Sequence, residues 1–141
     1  LFTAGGSFLI PSAVWRFGMQ RCMKLEHQYA VTLFNKGRER HVQAILDTGN
    51  HLTMPISGRP VQVLDACAAE RFFSWEDGVQ YIPFRSVGKG GGVIPVYQAE
   101  RMEVSGQGGM RVIEKPWIAI SQEVLSQKGE YQMLLNEKYW L

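Results

Sequence analysis

The residues of this sequence best suited to chemistry are Asp47, Thr48 and Gly49, which follow the apolar run Ala44-Ile45-Leu46. Such a run predicts a strand that enters the core and ends at Asp47, leaving the carboxyl group beside apolar surroundings. Two carboxyl groups in contact do not both ionise at modest cost, so one keeps its proton while the other activates a water molecule. The triplet occurs once in the chain. The sequence therefore predicts half of an aspartic protease site, completed by a second copy in a homodimer.

Each residue of the triplet has a physical role on this interpretation. Asp47 would share a proton with its counterpart. Thr48 offers a hydroxyl that can hydrogen-bond across the dimer axis. Gly49 lets the backbone approach the carboxylate and the water without a Cβ in the way. Asn50 can bind loop backbone or substrate, so Asp47, Thr48 and Gly49 are the predicted catalytic residues and Asn50 a predicted substrate contact.

A plainer interpretation treats the same triplet as a turn. Asp and Gly are favoured in turns, and an Asp side chain readily accepts a hydrogen bond from its own backbone. Asp47 would then have no catalytic role, and the domain would be a non-enzymatic β-barrel interaction module. In that case the glycine-rich segment further along the chain would bind a partner.

The elements around the triplet read as short strands with one or two short helices. Asp65 predicts the N-cap of one short helix, and Ser121 predicts the N-cap of another over residues 121–127. Residues 93–104 and 110–120 each predict a single strand.

Residues 28–34 and 38–46 predict a hairpin, and Asn35-Lys36-Gly37 predicts its turn. About 40 residues after Asp47, glycines lie between two strand-like runs, where a flap could fold over a bound peptide; Gly88, Gly90 and Gly91 are its predicted substrate contacts. Leu134-Leu135 predicts a closing strand that crosses the catalytic loop. We expect a mostly-β, barrel-like domain.

Composition fits one globular domain and excludes several functions. Hydrophobic residues make up 45% of the 141 residues and charged residues 20%, as in ordinary globular proteins. A net charge of +2 with scattered basic residues predicts no nucleic-acid partner. Two cysteines, Cys22 and Cys67, do not form a disulfide framework. His27, His41 and His51 are too scattered for metal-ligand spacing, so we expect neither a metal nor a cofactor.

Residues 1–26 stand apart from the predicted domain, which spans residues 27–141. Their apolar residues are interrupted by glycines, Ser7 and Pro11, and a spanning helix needs about 20 mostly apolar residues in a row. Two interpretations remain open: an N-terminal strand or packed arm, and the stub of a membrane-proximal linker.

Several segments together resemble one known family, the sporulation sigma-E factor-processing peptidases (stage II sporulation protein GA). The resemblance covers roughly Tyr29 to the C-terminus, and its most specific part is the run from Asp47 to Val61. The segments that carry it are Asp47-Thr48-Gly49-Asn50-His51-Leu52, Pro55-Ile56-Ser57-Gly58-Arg59-Pro60-Val61, Ile82-Pro83-Phe84-Arg85-Ser86-Val87-Gly88, and the stretch from Tyr131 to Leu135. Met54 and Asn136-Glu137 depart from the family pattern, in which an acidic residue and His-Pro are expected.

The resemblance implies a retropepsin-like closed barrel with a half-site in each chain, active as a homodimer. It also implies a domain that follows membrane-spanning helices and faces the cytoplasm of the mother cell. There it would remove the pro-sequence of the sigma-E factor precursor after a signal from a forespore protein. A third possibility is a retroviral-type protease with another substrate; Asn50 and the Pro60-Val61 continuation argue against it, because such proteases usually have a small residue after the glycine.

Overall fold

The computed structural model describes residues 28–86 and 90–140, and these residues are mostly β. The strands are β1 (Gln28–Asn35), β2 (Arg38–Asp47), β3 (Val61–Asp65), β4 (Gln80–Ser86), β5 (Gly90–Gln98), β6 (Arg101–Gly106), β7 (Gly109–Glu114), β8 (Trp117–Ser121) and β9 (Met133–Asn136). The only α-helix among these residues, α1, spans the four residues Ala66–Ala69, and 3₁₀ helices span Trp75–Asp77 and Glu137–Trp140. One sheet contains every strand of the described part of the chain, in the order β4-β5-β8-β3-β9-β2-β1-β6-β7. The predicted mostly-β class is confirmed.

The sheet is open, so the predicted closed barrel is not confirmed. Its edges are β4 and β7, which lie at opposite ends of the strand order and do not pair with each other in the described residues. The two edges differ in the residues that they expose. Pro83 in β4 has no N–H to donate, as expected of an edge strand. The side chains of Met110 and Val112 in β7 are 66% and 45% exposed.

The shortest strand, β9, lies at the centre of the sheet. It runs parallel to β2, with Asp47 opposite Asn136, and antiparallel to β3, with Val63 opposite Leu134. Apolar clusters cover both faces of this region, since Leu134 belongs to one cluster and Leu135 to the other. Burial on both faces explains why β9 is a continuous apolar run rather than an alternating one.

The β1–β2 hairpin places Asp47 at one end of the sheet and a tight turn at the other. All eight residues of β1 pair with β2, from Gln28 opposite Ile45 to Asn35 opposite Arg38. The two turn residues, Lys36 and Gly37, have φ angles of 51° and 77°. Positive φ at both positions is the two-residue hairpin turn that matches the strand twist. The predicted hairpin and its turn are confirmed.

Three predicted elements differ from the structure. Residues 121–127 form no helix; instead Ser121 Oγ accepts a hydrogen bond from the Glu123 N–H at 3.1 Å and closes a local turn. The run predicted as one strand from Val93 to Val104 is divided between β5 and β6, which pair with different neighbours. Between them the Glu100 N–H donates to Phe34 O at 3.0 Å. The run from Met110 to Ile120 is likewise divided at Lys115, whose φ is 51°, into β7 and β8.

The predicted N-terminal arm, residues 1–26, lies outside the described residues and stays a prediction. In the part of the chain that the structure describes, no helix is both long and apolar enough to cross a membrane.

Asp77 joins the β1–β2 turn to the segment between α1 and β4. Its side chain is only 4% exposed and contacts Lys36 Nζ at 2.7 Å and Arg38 Nη2 at 3.4 Å. The Ser74 N–H donates to Asp77 Oδ2 at 2.8 Å. Burial by itself raises the pKa of Asp77, but the bonds from Lys36 and Ser74 and the two positive charges outweigh it. The pKa therefore lies below its ordinary value of 3.8.

This lowered pKa predicts a loss of stability in acid. A carboxyl group whose pKa is lower in the folded state stabilises the protein above its unfolded pKa, and that contribution disappears as pH falls through the folded pKa. Asp77→Ala should therefore reduce the free energy of unfolding by about 1–3 kcal/mol at neutral pH, and by progressively less below about pH 4. Urea unfolding of wild type and variant between pH 7 and pH 3 measures the difference. Glu76→Ala, on the exposed neighbouring residue, is the control and should shift stability by at most about 0.5 kcal/mol; a pH-independent gap for Asp77→Ala would contradict the assignment.

Candidate active site

Asp47 is the last residue of β2 and is buried, with 2% of its surface exposed. Ile45, two residues earlier and on the same strand face, lies in the apolar cluster that contains Leu134 and Val63. The apolar approach strand predicted from the sequence is therefore confirmed, and it carries the Asp47 carboxyl group to the edge of the core. The neighbouring Thr48 is exposed and Gly49 is half-buried.

The turn after Asp47 is closed by two hydrogen bonds to that residue. The Gly49 N–H donates to Asp47 Oδ1 at 2.9 Å, and the Asn50 N–H donates to the Asp47 main-chain oxygen at 3.0 Å. One carboxyl oxygen is thus oriented by a backbone donor. Gly49, which donates this bond, has no Cβ that would obstruct the approach of a water molecule or a substrate carbonyl to the carboxyl group.

Asp65 offers a direct comparison, because it is also the last residue of a buried strand. The Cys67 N–H donates to Asp65 Oδ1 at 2.8 Å, which matches the bond between Gly49 and Asp47. Asp65 is the N-cap of α1, as predicted, and its Oδ2 accepts a bond from the Leu125 N–H at 3.4 Å. This local geometry therefore also serves a purely structural purpose, and by itself it does not distinguish a catalytic carboxylate from a turn residue.

Asn50 is completely buried and bonded to the backbone around it. Its Nδ2 donates to Val61 O at 3.0 Å and to Leu134 O at 3.5 Å, while its Oδ1 accepts from the Leu52 N–H at 3.1 Å. The first of the two roles considered for Asn50, binding loop backbone, is the one that the structure displays. Contact with substrate stays a prediction.

The β4–β5 hairpin occupies the position of the predicted flap. Ile82 of β4 and Ile94 of β5 lie in the same apolar cluster as Ile45, so the hairpin covers the layer that leads to Asp47. Gly90 and Gly91 are residues of β5, opposite Ser86 and Arg85. Gly88 lies outside the described residues, and a substrate contact by any of the three glycines stays a prediction.

Phe84 packs against the same apolar cluster from the strand opposite Gly92. A Cβ added at Gly92 would lie 3.3 Å from Phe84 Cε1, which is tighter than an ordinary contact. The absence of a side chain at Gly92 therefore lets the Phe84 ring lie across the hairpin.

Gln62 and Asn136 also belong to this region, which the sequence pattern did not predict. Both are buried, at 0% and 2% exposure, and Gln62 Oε1 accepts a bond from the Asn136 N–H at 2.7 Å. Asn136 stands opposite Asp47 in the β2–β9 pairing. Each is a polar residue within, or at the end of, an otherwise apolar strand, and this sequence feature could have identified them. No group of three or more His, Cys, Asp or Glu residues in the described ranges comes together to hold a metal.

Comparison with known proteins gives the family. The model of the peptidase family described as Sporulation factor SpoIIGA matches residues 1–139. A relative from Bacillus thuringiensis subsp. kurstaki, named as a sporulation sigma factor-processing peptidase, is 25% identical over 71% of this chain and 76% of its own length. No solved structure matches the chain. Because the family match spans nearly all of the sequence, this chain belongs to the SpoIIGA family of sporulation sigma factor-processing peptidases.

Proposed function

We propose that this peptidase is an aspartic endopeptidase in which Asp47 of one chain acts together with Asp47 of a second copy. The observation that carries the proposal is the buried position of Asp47 at the end of an apolar strand, in a chain with a single Asp-Thr-Gly triplet. Membership of a peptidase family supports hydrolysis of a peptide bond. The aspartic mechanism and the homodimer are inferred from the residues.

The proposed reaction uses the two carboxyl groups as an acid–base pair. The ionised carboxylate removes a proton from a water molecule, whose oxygen attacks the peptide carbonyl carbon. The protonated carboxyl group donates its proton to the carbonyl oxygen. The product is a tetrahedral gem-diol. The carboxyl group that took the proton from water now gives it to the amide nitrogen, while the other carboxylate removes a proton from a gem-diol hydroxyl. The C–N bond breaks, and both carboxyl groups return to their starting protonation states. We propose that Thr48, which is exposed beside Asp47, bonds the second chain and holds the two turns in register.

The substrate that we propose is the sigma-E factor precursor, whose pro-sequence would be removed. Two observations support this substrate: the family match, and the name of the relative from B. thuringiensis, which describes it as a sporulation sigma factor-processing peptidase. The flap hairpin would cover the extended substrate, with Asn50, Gly88, Gly90 and Gly91 as proposed contacts. We also propose attachment to the membrane through an N-terminal part, exposure to the mother-cell cytoplasm, and activation by a forespore signalling protein; these rest on the resemblance.

Replacement of the proposed catalytic carboxyl group should abolish cleavage. Asp47→Asn removes the acid–base group and should lower kcat/KM for the precursor by at least about 10²–10⁴-fold, with the fold intact. Cleavage followed by gel electrophoresis, with circular dichroism on the same samples, measures both.

Asp65→Asn is the matched control for this experiment. Like the Asp47 carboxylate, the Asp65 carboxylate accepts a hydrogen bond from the N–H of the residue two positions later. It lies at a helix cap rather than at the proposed site. The control should retain activity wherever it stays folded. Full activity in Asp47→Asn would instead show that Asp47 is not the catalytic carboxyl group, whereas the non-enzymatic interaction module predicts no cleavage by wild type.

A site shared by two chains predicts that inactive subunits poison active ones. Mixing equal amounts of wild type and Asp47→Asn, after dissociation and reassociation, should leave about half of the wild-type activity, because random pairing places half of the active chains in mixed dimers. A larger excess of the variant should lower activity further. Wild-type activity that is independent of the added variant would show that one chain is sufficient.

A further inference from the structure

Three carboxamide side chains are buried close to the turn that follows Asp47. Asn50, Gln62 and Asn136 are each at most 2% exposed. Burying an amide in apolar surroundings is unfavourable unless its hydrogen bonds are made. The bonds of these side chains therefore show which parts of the backbone the amides hold.

Asn136 connects three separate segments of the chain. Its Nδ2 donates to Leu52 O at 2.8 Å and to Val61 O at 3.4 Å. Its Oδ1 accepts from the Lys138 N–H at 2.9 Å. The side chain thus bonds β9, the loop after Asp47 and the start of β3, although Leu52 is 84 positions away in the sequence.

Asn50 donates to one of the same carbonyl groups. Its Nδ2 and that of Asn136 both donate to Val61 O, at 3.0 Å and 3.4 Å. Leu52 O likewise receives two donors, Asn136 Nδ2 and the Val61 N–H at 3.0 Å. The segment after Asp47 is therefore held between β3 and β9 by side-chain amides, in a place where regular strand pairing is sparse.

We propose that Asn136 is a positioning residue for the Asp47 carboxyl group. This inference rests on the proposed aspartic mechanism. Asn136 lies opposite Asp47 in the β2–β9 pairing, and its amide anchors the loop whose other end is the Asp47 turn. Two carboxyl groups that share a proton must lie within hydrogen-bond distance, about 2.6–3.2 Å. A loop shift of about 1 Å is enough to lower the rate of a positioned reaction by roughly 10²-fold.

Substitution of Asn136 should lower kcat more than it changes KM. In Asn136→Leu an apolar side chain of similar size occupies the site, while the bonds to Leu52 O and Val61 O are lost. We expect kcat for precursor cleavage to fall about 10–10²-fold, with KM within about twofold because Asn136 is not among the proposed substrate contacts.

Asn35→Ala is the matched control. Asn35 is also a 2% exposed Asn in the same sheet, but it lies at the far end of the β1–β2 hairpin and bonds Asp77 at 3.5 Å. The Asn35→Ala variant should be less stable than wild type but keep the wild-type kcat. If the two variants lose kcat in proportion to their loss of stability, Asn136 has only a structural role and the inference is overturned.

Asn136→Asp gives a readout that does not depend on Asn136→Leu being folded. The introduced carboxyl group is nearly isosteric with the amide but can donate to Leu52 O only while protonated. Activity relative to wild type should therefore be highest at acidic pH and fall as pH rises, whereas Asn35→Ala should follow the wild-type pH profile. A constant ratio of variant to wild-type activity across pH would contradict the proposal.

Asp47→Asn in the same assay separates the proposed mechanism from the positioning role. If Asp47→Asn is active, the proposed aspartic mechanism fails. If Asp47→Asn is inactive while the Asn136 variants keep full kcat, only the positioning role fails.

Discussion

The parallel pairing of β2 with β9 is the interaction on which the rest of the structure depends. On one side of β9 lie β3, β8, β5 and β4, and on the other lie β2, β1, β6 and β7. A strand of four buried residues thus joins the two halves of the described sheet. Strand β9 also lies beside the end of β2. The position of Asp47 relative to the half of the sheet that contains β4 and β5 is therefore set by packing at Leu134 and Leu135.

The polar residues beside this strand follow from the irregular course of the chain after Asp47. Between β2 and β3 the backbone makes only a few local bonds, such as Met54 N–H to Arg59 O at 2.9 Å and the isolated bridge between Thr53 and Pro60. Main-chain carbonyls that are buried without a strand partner require other donors. The amides of Asn50 and Asn136 supply donors at Leu52 and Val61, so this segment is buried although it has little regular strand pairing.

Local features of this fold could be predicted from the sequence, and features set by distant contacts could not. The apolar run before Asp47, the turn at Lys36-Gly37 and the cap at Asp65 each depend on neighbouring residues, and each was found where expected. The division of residues 93–104 into two strands follows from the different pairing partners of β5 and β6, which no local pattern reveals. Ser121 resembles a helix cap in sequence, yet its hydroxyl group closes a turn instead.

The candidate site divides in the same way. Asp47, Thr48 and Gly49 are adjacent in sequence, and the triplet and its apolar approach identify them directly. Asn136 was noted only as a departure from the family pattern, because its bonds are made to residues more than 70 positions away. The closed barrel was expected from the family resemblance, whereas strand pairing in the described chain leaves β4 and β7 as separate edges.

The central position of the last strand has a consequence for the order of folding. The β1–β2 hairpin is local, and hairpins of this kind form within about 1–10 μs. The contacts of β9 with β2 and β3 join residues about 70 to 90 positions apart, and such non-local pairings form slowly because loop closure must precede them. The Asp47 turn is therefore attached to an early-forming hairpin, while the strand that buries its carboxyl group arrives late. A nascent chain that stops before Met133 contains the whole triplet but lacks the neighbour that gives the triplet its environment.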